Sequence, residues 1–485
     1  MLNRTLFIYL FAHLAPAAIG LFAVALYTHL MSPADYGQYV IGTSIAGIVA
    51  SMFFSWIRLS VSRYQATSAK IDLRGAAIVA YCAAAAVLAA MAPVAIVITR
   101  PGANLPIIVT AVFIALTLGA FEIGQELRRA RLEPRRFMVV AVLRSALGVV
   151  FGYAAIKLGG GGLGLLIAVA ASYFCSSLFK TGVGGGAPMR LVQREHIGQF
   201  VRYGLPLSIG GLLFALYSTG DRLIVAYLLG QEAAGQYGLS ADLSRQFIVI
   251  LAASCASATV PVVFHTLANE GAARARAQLS DSAELMLAII APVAIWLVVA
   301  SDVFASVMLG PQFRAGASLI MPLLVAARMM GAFNQFYLQT SFQLAEKPLP
   351  QVLAESLILV VSVVLLVPLA YAFGVLGAAI ATVLTEATGL LIGWRLSKRA
   401  FAMPFDGARI ARVFAASAAL AAAVWGAKLL VGNSGLSALI VVFLAGALAY
   451  GAMAYALNIA RVRTLLTGRL LPLVPGLWRR AVFRG

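Results

Sequence analysis

Charged side chains interrupt several long apolar runs of this sequence, and they are the residues best suited to chemistry inside a membrane. A charge at the centre of a bilayer costs roughly 2.5–3.5 kcal/mol on insertion scales, so such residues usually face a cavity or a partner. An arginine in a cavity is a good ligand for phosphate oxygens, because its planar fork donates two parallel hydrogen bonds. The candidate ligands on this basis are Arg58, Arg144, Arg222, Arg245 and Arg328.

Arg328 lies in the middle of its apolar run, which contains no acid before Glu346. Its candidate partners are Glu355 and Glu386, which lie in the next two runs. Asn334 and Gln335 follow one or two helical turns later and supply amide groups that can bind a hydroxyl-rich ligand. The alternative for these amides is ordinary hydrogen bonding between helices.

A second group of charges flanks the turn between the seventh and eighth apolar runs. Asp221 and Arg222 lie about ten residues before this turn, and Asp242 and Arg245 lie about ten residues after it. An antiparallel hairpin places all four at one depth in the membrane. There they form either a gate or a neutralised cluster that fixes the packing of the two helices.

Three further charged residues lie nearer the cytoplasmic side on this interpretation. Glu122 and Arg144 flank the turn between the fourth and fifth runs, so they can pair with each other. Arg58 lies two-thirds of the way along the second run. It either faces a cavity or extends its long side chain toward the membrane surface.

Three residues are candidates for proton coupling, namely His13, Glu122 and Glu386. Histidine titrates near neutral pH without perturbation, and a buried carboxylate can take up a proton. A lone histidine such as His13 is more often a hydrogen-bonded packing residue. The four histidines show no HxxxH or HExxH spacing and the three cysteines lie in apolar runs, so we expect no metal site and no cofactor.

Composition defines the setting of these residues. Hydrophobic residues make up 62% of the 485 positions and charged residues 11%, which predicts an all-α polytopic membrane protein. A spanning helix needs about 20 apolar residues, and the runs do not alternate in polarity as barrel strands do. Fourteen spans are predicted, at 7–30, 37–62, 75–98, 105–127, 137–157, 163–180, 203–229, 236–266, 283–309, 317–342, 349–372, 374–396, 408–431 and 435–457.

The distribution of basic residues predicts the orientation of these spans. With the N-terminus inside, the inside segments contain 27 of the 36 lysines and arginines, and the outside loops contain 4. Such asymmetry follows the positive-inside rule, so we expect both termini to be cytoplasmic. The net charge of +19 is then explained by the membrane surface, and no nucleic acid partner is expected.

Three internal matches predict that the chain is duplicated. Gly37-Gln38-Tyr39 aligns with Gly235-Gln236-Tyr237 at a spacing of 198 residues. Residues 125–134 align with 339–348, and 161–168 align with 374–381. The predicted organisation is a six-helix lobe (1–180), a cytoplasmic linker (181–199), a second six-helix lobe (200–396), two further helices (397–457) and a basic cytoplasmic tail (458–485). Copies of six helices keep one orientation, so the lobes should be related by an axis along the membrane normal, with a central cavity between them.

Four short segments of the sequence together resemble a known superfamily. They are Leu30 to Gly37 at the exit of the first span, Gly204-Leu205-Pro206 followed by Asp221-Arg222, Leu309 to Phe313, and Gly374 to Ala379. The chain resembles the multidrug/oligosaccharidyl-lipid/polysaccharide flippase superfamily, and within it the Wzx-type polysaccharide and O-antigen flippases. The resemblance implies two six-helix lobes and export of a polyprenyl-pyrophosphate-linked oligosaccharide across the bacterial inner membrane by alternating access. It implies no shared set of catalytic residues.

Other functions are consistent with parts of the pattern. A peptidoglycan lipid II flippase also fits fourteen helices. An ion-coupled multidrug antiporter would be expected to have twelve helices and one essential acid. A membrane polysaccharide polymerase or ligase is less consistent, because such enzymes need a large periplasmic loop. The expected partners of a flippase are its lipid-linked substrate, membrane lipids and the glycosyltransferase or polymerase machinery, and the chain is expected to function as a monomer.

Overall fold

The computed structural model describes residues 2–67, 73–99, 102–131, 133–179, 194–346 and 348–465. Within these ranges the chain is helical and contains no strand. The first six long helices are α1 (Leu2–Leu30), α2 (Pro33–Thr67), α3 (Arg74–Thr99), α4 (Leu105–Ala130), α5 (Pro134–Lys157) and α6 (Gly161–Leu178).

Two glycines divide the longest helical runs of the second half. Gly230, with φ of 89°, divides Arg194–Glu270 into α7 (194–229) and α8 (231–270). Gly374, with φ of 61°, divides Pro348–Ala400 into α11 (348–373) and α12 (375–400). Positive φ is accessible to glycine because it has no Cβ, so both breaks fall where the residue type permits a sharp reversal.

The remaining long helices complete the described chain. They are α9 (Ala272–Val299), α10 (Pro311–Phe333), α13 (Gly407–Val431) and α14 (Leu436–Ala456). A two-turn helix, Ser301–Met308, follows α9. The end of α10 widens at Asn334–Leu338, where the amide of Gln339 donates to the carbonyl five residues back.

These helices correspond one to one with the fourteen predicted spans. Eleven described helical segments are long and apolar enough to cross a membrane. Two of them contain the glycine breaks and so count twice, and the shorter apolar segment Leu14–Leu30 brings the number to fourteen. The prediction of an all-α polytopic membrane protein is confirmed.

The chain divides into two compact units. The first contains Met1–Leu239, Gly310–Phe313 and Ser362–Ala378, and the second contains Ser240–Leu309, Arg314–Val361 and Ala379–Gly485. The duplicated lobes with the boundaries given above remain a prediction. The linker 181–199 lies mostly outside the described residues, as does the tail after residue 465.

The core of the first unit lies where α2, α4 and α6 pack together. Ala46 and Ala50 of α2 and Ala111 and Ala115 of α4 are almost completely buried. Small residues let helix backbones approach closely in a membrane, where packing rather than hydrophobicity drives helix association. This close packing holds α2 and α4 in fixed register, which matters for the charges that both helices carry.

The core of the second unit includes the contact of α13 and α14 with α9. The indole of Trp296 donates to the carbonyl of Val442 at 3.4 Å, and the hydroxyl of Tyr450 donates to the carbonyl of Ala288 at 2.7 Å. Both bonds connect α14 to α9 through groups that a lipid environment would leave unsatisfied, and α13 packs against α9 through Leu420 and Val424. The two C-terminal helices are therefore an integral part of this unit.

Candidate functional site

An ion pair connects α2 and α4 inside the first unit. The guanidinium of Arg58 donates to the carboxylate of Glu122 with an Nη1–Oε2 distance of 3.0 Å. Both side chains keep about two-fifths of their surface exposed, at 41% and 39%. A charged pair that is half exposed within membrane-spanning helices is expected to face a polar cavity rather than lipid.

Arg144 of α5 lies beside this pair but has a different partner. Its guanidinium carbon is 4.1 Å from the centre of the Tyr173 ring on α6. Tyr173 also packs edge-on against Phe121, the neighbour of Glu122, with ring centres 5.3 Å apart. The predicted pairing of Glu122 with Arg144 is therefore replaced by two contacts, Glu122 with Arg58 and Arg144 with Tyr173.

We call the four residues Arg58, Glu122, Arg144 and Tyr173 the charged wall. They come from α2, α4, α5 and α6, and the packing of these helices in the first unit fixes the positions of the four side chains relative to each other. Two cations and one anion leave an excess of one positive charge. Tyr173 was not a candidate from the sequence, where it is one hydroxyl-bearing ring in an apolar run.

The second unit contains a buried ion pair between α10 and α12. The distance from Nη1 of Arg328 to Oε1 of Glu386 is 3.5 Å, and the two side chains are 8% and 3% exposed, respectively. Gly331 makes room for the acid, because a Cβ at this position would lie 2.5 Å from a carboxylate oxygen of Glu386. Of the two candidate partners for Arg328, Glu386 is the one the structure provides, while Glu355 accepts a hydrogen bond from Gln351.

The amides near Arg328 are placed differently from each other. Asn334 is buried at the widened end of α10, where its side-chain oxygen packs against Gly393 of α12. Gln335 is half-buried. The hydroxyl of Tyr337 donates to the carbonyl of Pro404 at 2.7 Å. These contacts favour a packing role for Asn334, and ligand binding by Asn334 and Gln335 remains a prediction.

Asp221 and Arg222 are both buried on α7. The carboxylate of Asp221 accepts a hydrogen bond of 2.8 Å from the hydroxyl of Tyr237 on α8. Asp242 is half-buried and Arg245 is exposed, both on α8. The gate or packing cluster expected from these four charges remains a prediction, as does proton coupling by His13, whose side chain lies outside the described part of the structure.

The repeated Gly-Gln-Tyr motifs lie against each other in the first unit. A Cβ at Gly37 would lie 1.8 Å from the backbone oxygen of Gln231, and a Cβ at Gly235 would lie 2.0 Å from the backbone oxygen of Pro33. The side chain of Gln38 donates to Gln231 at 3.2 Å. We call this close approach of α2 and α8 the glycine contact; the topology predicted from basic residues puts it at the outer ends of these helices.

The charged side chains of the described residues form ion pairs and aromatic contacts and do not form a metal-binding cluster. Within the described residues no group of three or more histidine, cysteine, aspartate or glutamate side chains is arranged to hold a metal ion. The described part of the chain folds into fourteen apolar helices, which define a multi-pass membrane protein. Several of them contain ionisable groups inside their spans, and such groups commonly mark a substrate or ion pathway.

Comparison with known proteins gives the family. The family described as polysaccharide biosynthesis protein matches residues 26–318, and the chain belongs to it. The probable low-salt glycan biosynthesis flippase Agl15 of Haloferax volcanii is 24% identical over 251 residues. That match covers 52% of each protein, so it spans about half the length of the curated relative.

Solved structures confirm the fold. A lipid II flippase MurJ in an inward closed conformation aligns with a TM-score of 0.68 and 14% identity, over 93% of this chain and 99% of that one. An outward-facing multidrug resistance MATE family transporter of the MOP superfamily aligns with a TM-score of 0.55 and 16% identity, over 85% of this chain and 96% of that one. At these identities the likeness concerns the fold, and it agrees with the superfamily resemblance found in the sequence.

Proposed function

We propose that this protein is a non-enzymatic flippase that moves a polyprenyl-pyrophosphate-linked oligosaccharide across the bacterial inner membrane by alternating access. Membership of the polysaccharide biosynthesis family supports the substrate class, and the glycan flippase among its relatives supports the activity. The observation that carries the proposal is the charged wall. It is a half-exposed set of polar side chains with an excess positive charge, inside helices that otherwise present apolar surface.

The chemistry of the wall suits a pyrophosphate better than a neutral or cationic solute. Arg144 stacks on Tyr173 through its face, which leaves the edge of its guanidinium fork for phosphate oxygens. Arg58 shares its charge with Glu122, so an arriving anion can compete for Arg58 and displace the carboxylate. We propose that Arg58 and Arg144 are the principal anion ligands.

The other sequence candidates have secondary roles in this proposal. Arg222, Arg245, Asn334 and Gln335 contribute to the substrate path, while Asp221 and Asp242 take part in gating. Exchange of Glu122 between Arg58 and a proton is the proposed coupling step, with Glu386 and His13 as alternatives. The substrate lipid, membrane lipids and the enzymes that build or polymerise the glycan are the proposed partners of a monomeric transporter.

The wall can be tested with two substitutions on one helix. Arg144→Gln removes one of the two cations of the charged wall, and Lys157→Gln removes a cation from the exposed end of the same helix α5. In a strain whose chromosomal gene is deleted, surface polysaccharide should fall at least tenfold with Arg144→Gln, about 1.4 kcal/mol of binding, and should be unchanged with Lys157→Gln. Membrane levels of the two variants should agree within twofold. Wild-type export by a well-expressed Arg144→Gln protein would contradict the proposal.

A lipid II flippase is the second candidate, favoured by the alignment with MurJ along nearly its whole length. The two functions differ in what accumulates when the gene is lost. Depletion should leave peptidoglycan synthesis intact and should trap a polyprenyl-linked glycan other than lipid II inside the cell. Accumulation of lipid II would favour the second candidate, while drug sensitivity with normal glycan export would favour an antiporter.

The proposed orientation has both termini in the cytoplasm. It rests on the distribution of lysine and arginine, of which inside segments contain 27 and outside loops 4. A reporter that fluoresces in the cytoplasm should be active when fused after Gly485, and a reporter that needs the periplasm should be active within 158–160, between α5 and α6. Periplasmic activity at the C-terminus would contradict this topology.

A further inference from the structure

The turn between α4 and α5 carries a dense group of arginines outside the charged wall. We call residues 126–136 the arginine turn, since five of its eleven residues are arginine and two are glutamate. The exposed side chains include Arg129, Arg135 and Arg136. Glu126 and Glu133 pair with Arg129 and Arg136 at 2.8 and 3.2 Å, which leaves an excess of three positive charges.

The arginines are not needed to form the turn. The corresponding turn before α11 lies 214 residues later. The short helix Thr340–Leu344, which follows the widened end of α10, ends 214 residues after Ala130, and α11 begins at Pro348, 214 residues after Pro134. The residue that follows the helix has nearly the same backbone conformation in both turns, with φ and ψ of −88° and 3° at Arg131 and −89° and −2° at Ala345. At this spacing Arg135 corresponds to Leu349 and Arg136 to Pro350 in the second turn.

Two of the arginines also lie where helix electrostatics disfavours them. Arg135 and Arg136 belong to the first turn of α5, which contains no acidic residue. The N-terminus of a helix carries partial positive charge, so cations there are repelled and anions are attracted. Glu133 at the N-cap of α5 compensates Arg136. The cationic excess that remains beside this helix terminus, which Leu349 and Pro350 of the matching turn lack, favours a bound anion.

The face of α5 on which Arg135 lies identifies the partner. Val139, Val150 and Tyr153 are exposed, and their spacing puts them within about 60° of Arg135 around the helix. Arg144 is nine residues from Arg135, which at about 100° per residue is the opposite side of α5. Arg144 contacts Tyr173 inside the first unit. Arg135 lies instead at the end of the exposed apolar face of α5, which contacts lipid tails.

We propose that the arginine turn binds the phosphate of anionic phospholipid headgroups at the cytoplasmic membrane surface. The lipid tails lie against the exposed face of α5, and the headgroup meets Arg135 and Arg136 where that face ends. Arg129 adds a third exposed cation from the end of α4. This surface is separate from the charged wall, and it does not depend on the identity of the transported molecule.

Binding of a fluorescent short-chain phosphatidylglycerol to the purified full-length chain in neutral detergent tests the proposal. An arginine near an anionic membrane surface contributes about fivefold in affinity, so Arg135→Gln with Arg136→Gln should weaken binding by at least tenfold and up to about 30-fold. Lysine at both positions should keep most of the affinity, because the attraction is mainly electrostatic. Higher salt should weaken wild-type binding and should have little effect on the glutamine variant.

The matched control removes two cations from the second unit. Arg274 pairs with Glu270 at 3.3 Å, and Arg276 lies over the Phe401 ring. Arg274→Gln with Arg276→Gln changes the net charge equally and should alter binding less than twofold. The proposal fails if the two double variants lose equal affinity, if phosphatidylcholine binds as well as phosphatidylglycerol, or if the turn binds a polyprenyl diphosphate but no phosphatidylglycerol.

Discussion

Replacing Arg328 with methionine should greatly reduce the amount of folded protein in the membrane. The substitution leaves Glu386, whose side chain is 3% exposed, without the cation that lies 3.5 Å away. Breaking a buried ion pair from one side costs about 3–5 kcal/mol, because a carboxylate remains uncompensated in a low dielectric. We therefore expect a lower thermal midpoint of the purified protein and a lower steady-state membrane level.

The double substitution Arg328→Met with Glu386→Gln separates packing from transport. Removing both charges leaves no buried carboxylate that has lost its cation, and glutamine keeps the shape that Gly331 accommodates. The thermal midpoint and the steady-state membrane level of the double variant should return close to those of the wild type. If glycan export per molecule also returns, Arg328 has a packing role and the predicted part in substrate binding is wrong. If export stays low, Arg328 acts on the substrate path as well.

The helices were predictable because their signals are local. Long apolar runs determine the spans, and glycines at 230 and 374 permit the reversals that divide the two longest helical runs. The short helix Ser301–Met308 was included in one predicted span, since hydropathy does not register a change of helix direction. The widening at Asn334–Leu338 has no composition signal either, because it depends on which carbonyl each amide selects.

The sequence predicted the ion-pair partner of one charged residue and missed that of another. Glu386 was named as a partner for Arg328, because both lie near the middle of their spans. Glu122 was instead matched with Arg144, which is its neighbour across a short turn. The structure pairs Glu122 with Arg58, 64 residues away, because small residues bring α2 and α4 together. Sequence spacing predicts depth in the membrane, whereas the choice of partner depends on helix packing.

The repeated motifs show the same limit. Their spacing of 198 residues identified Gly37 and Gly235 as equivalent positions. Nothing in the spacing indicated that α2 and α8 touch at these two glycines. A Cβ on either glycine would overlap the backbone of the other helix. A repeat in the sequence predicts equivalent local environments, and it does not predict whether the two repeated segments touch.

The glycine contact leads to the second large expected effect. Gly37→Ala places a methyl group 1.8 Å from the backbone oxygen of Gln231, and Gly235→Ala places one 2.0 Å from that of Pro33. A backbone oxygen cannot rotate away as a flexible side chain can, so α2 and α8 must separate. Overpacking of this kind costs about 1–3 kcal/mol or more, and it acts on the glycine contact specifically.

Separation of the helices should be measurable by cysteine labelling. Val40 is fully buried against Gly238 beside the glycine contact, so Val40→Cys, in a chain whose native cysteines are replaced, should react slowly with a membrane-impermeant maleimide. Adding Gly37→Ala should raise the labelling rate at least fivefold.

Gly47→Ala is the matched control on α2, because a Cβ there meets nothing within 4 Å, and alanine is favoured over glycine within a helix by about 1 kcal/mol. Equal labelling of the Gly37→Ala and Gly47→Ala proteins would show that the glycine contact does not hold these helices together. Faster labelling with an unchanged thermal midpoint would instead identify the contact as a closure that opens without unfolding, which is the property that the proposed alternating access requires of these ends of α2 and α8.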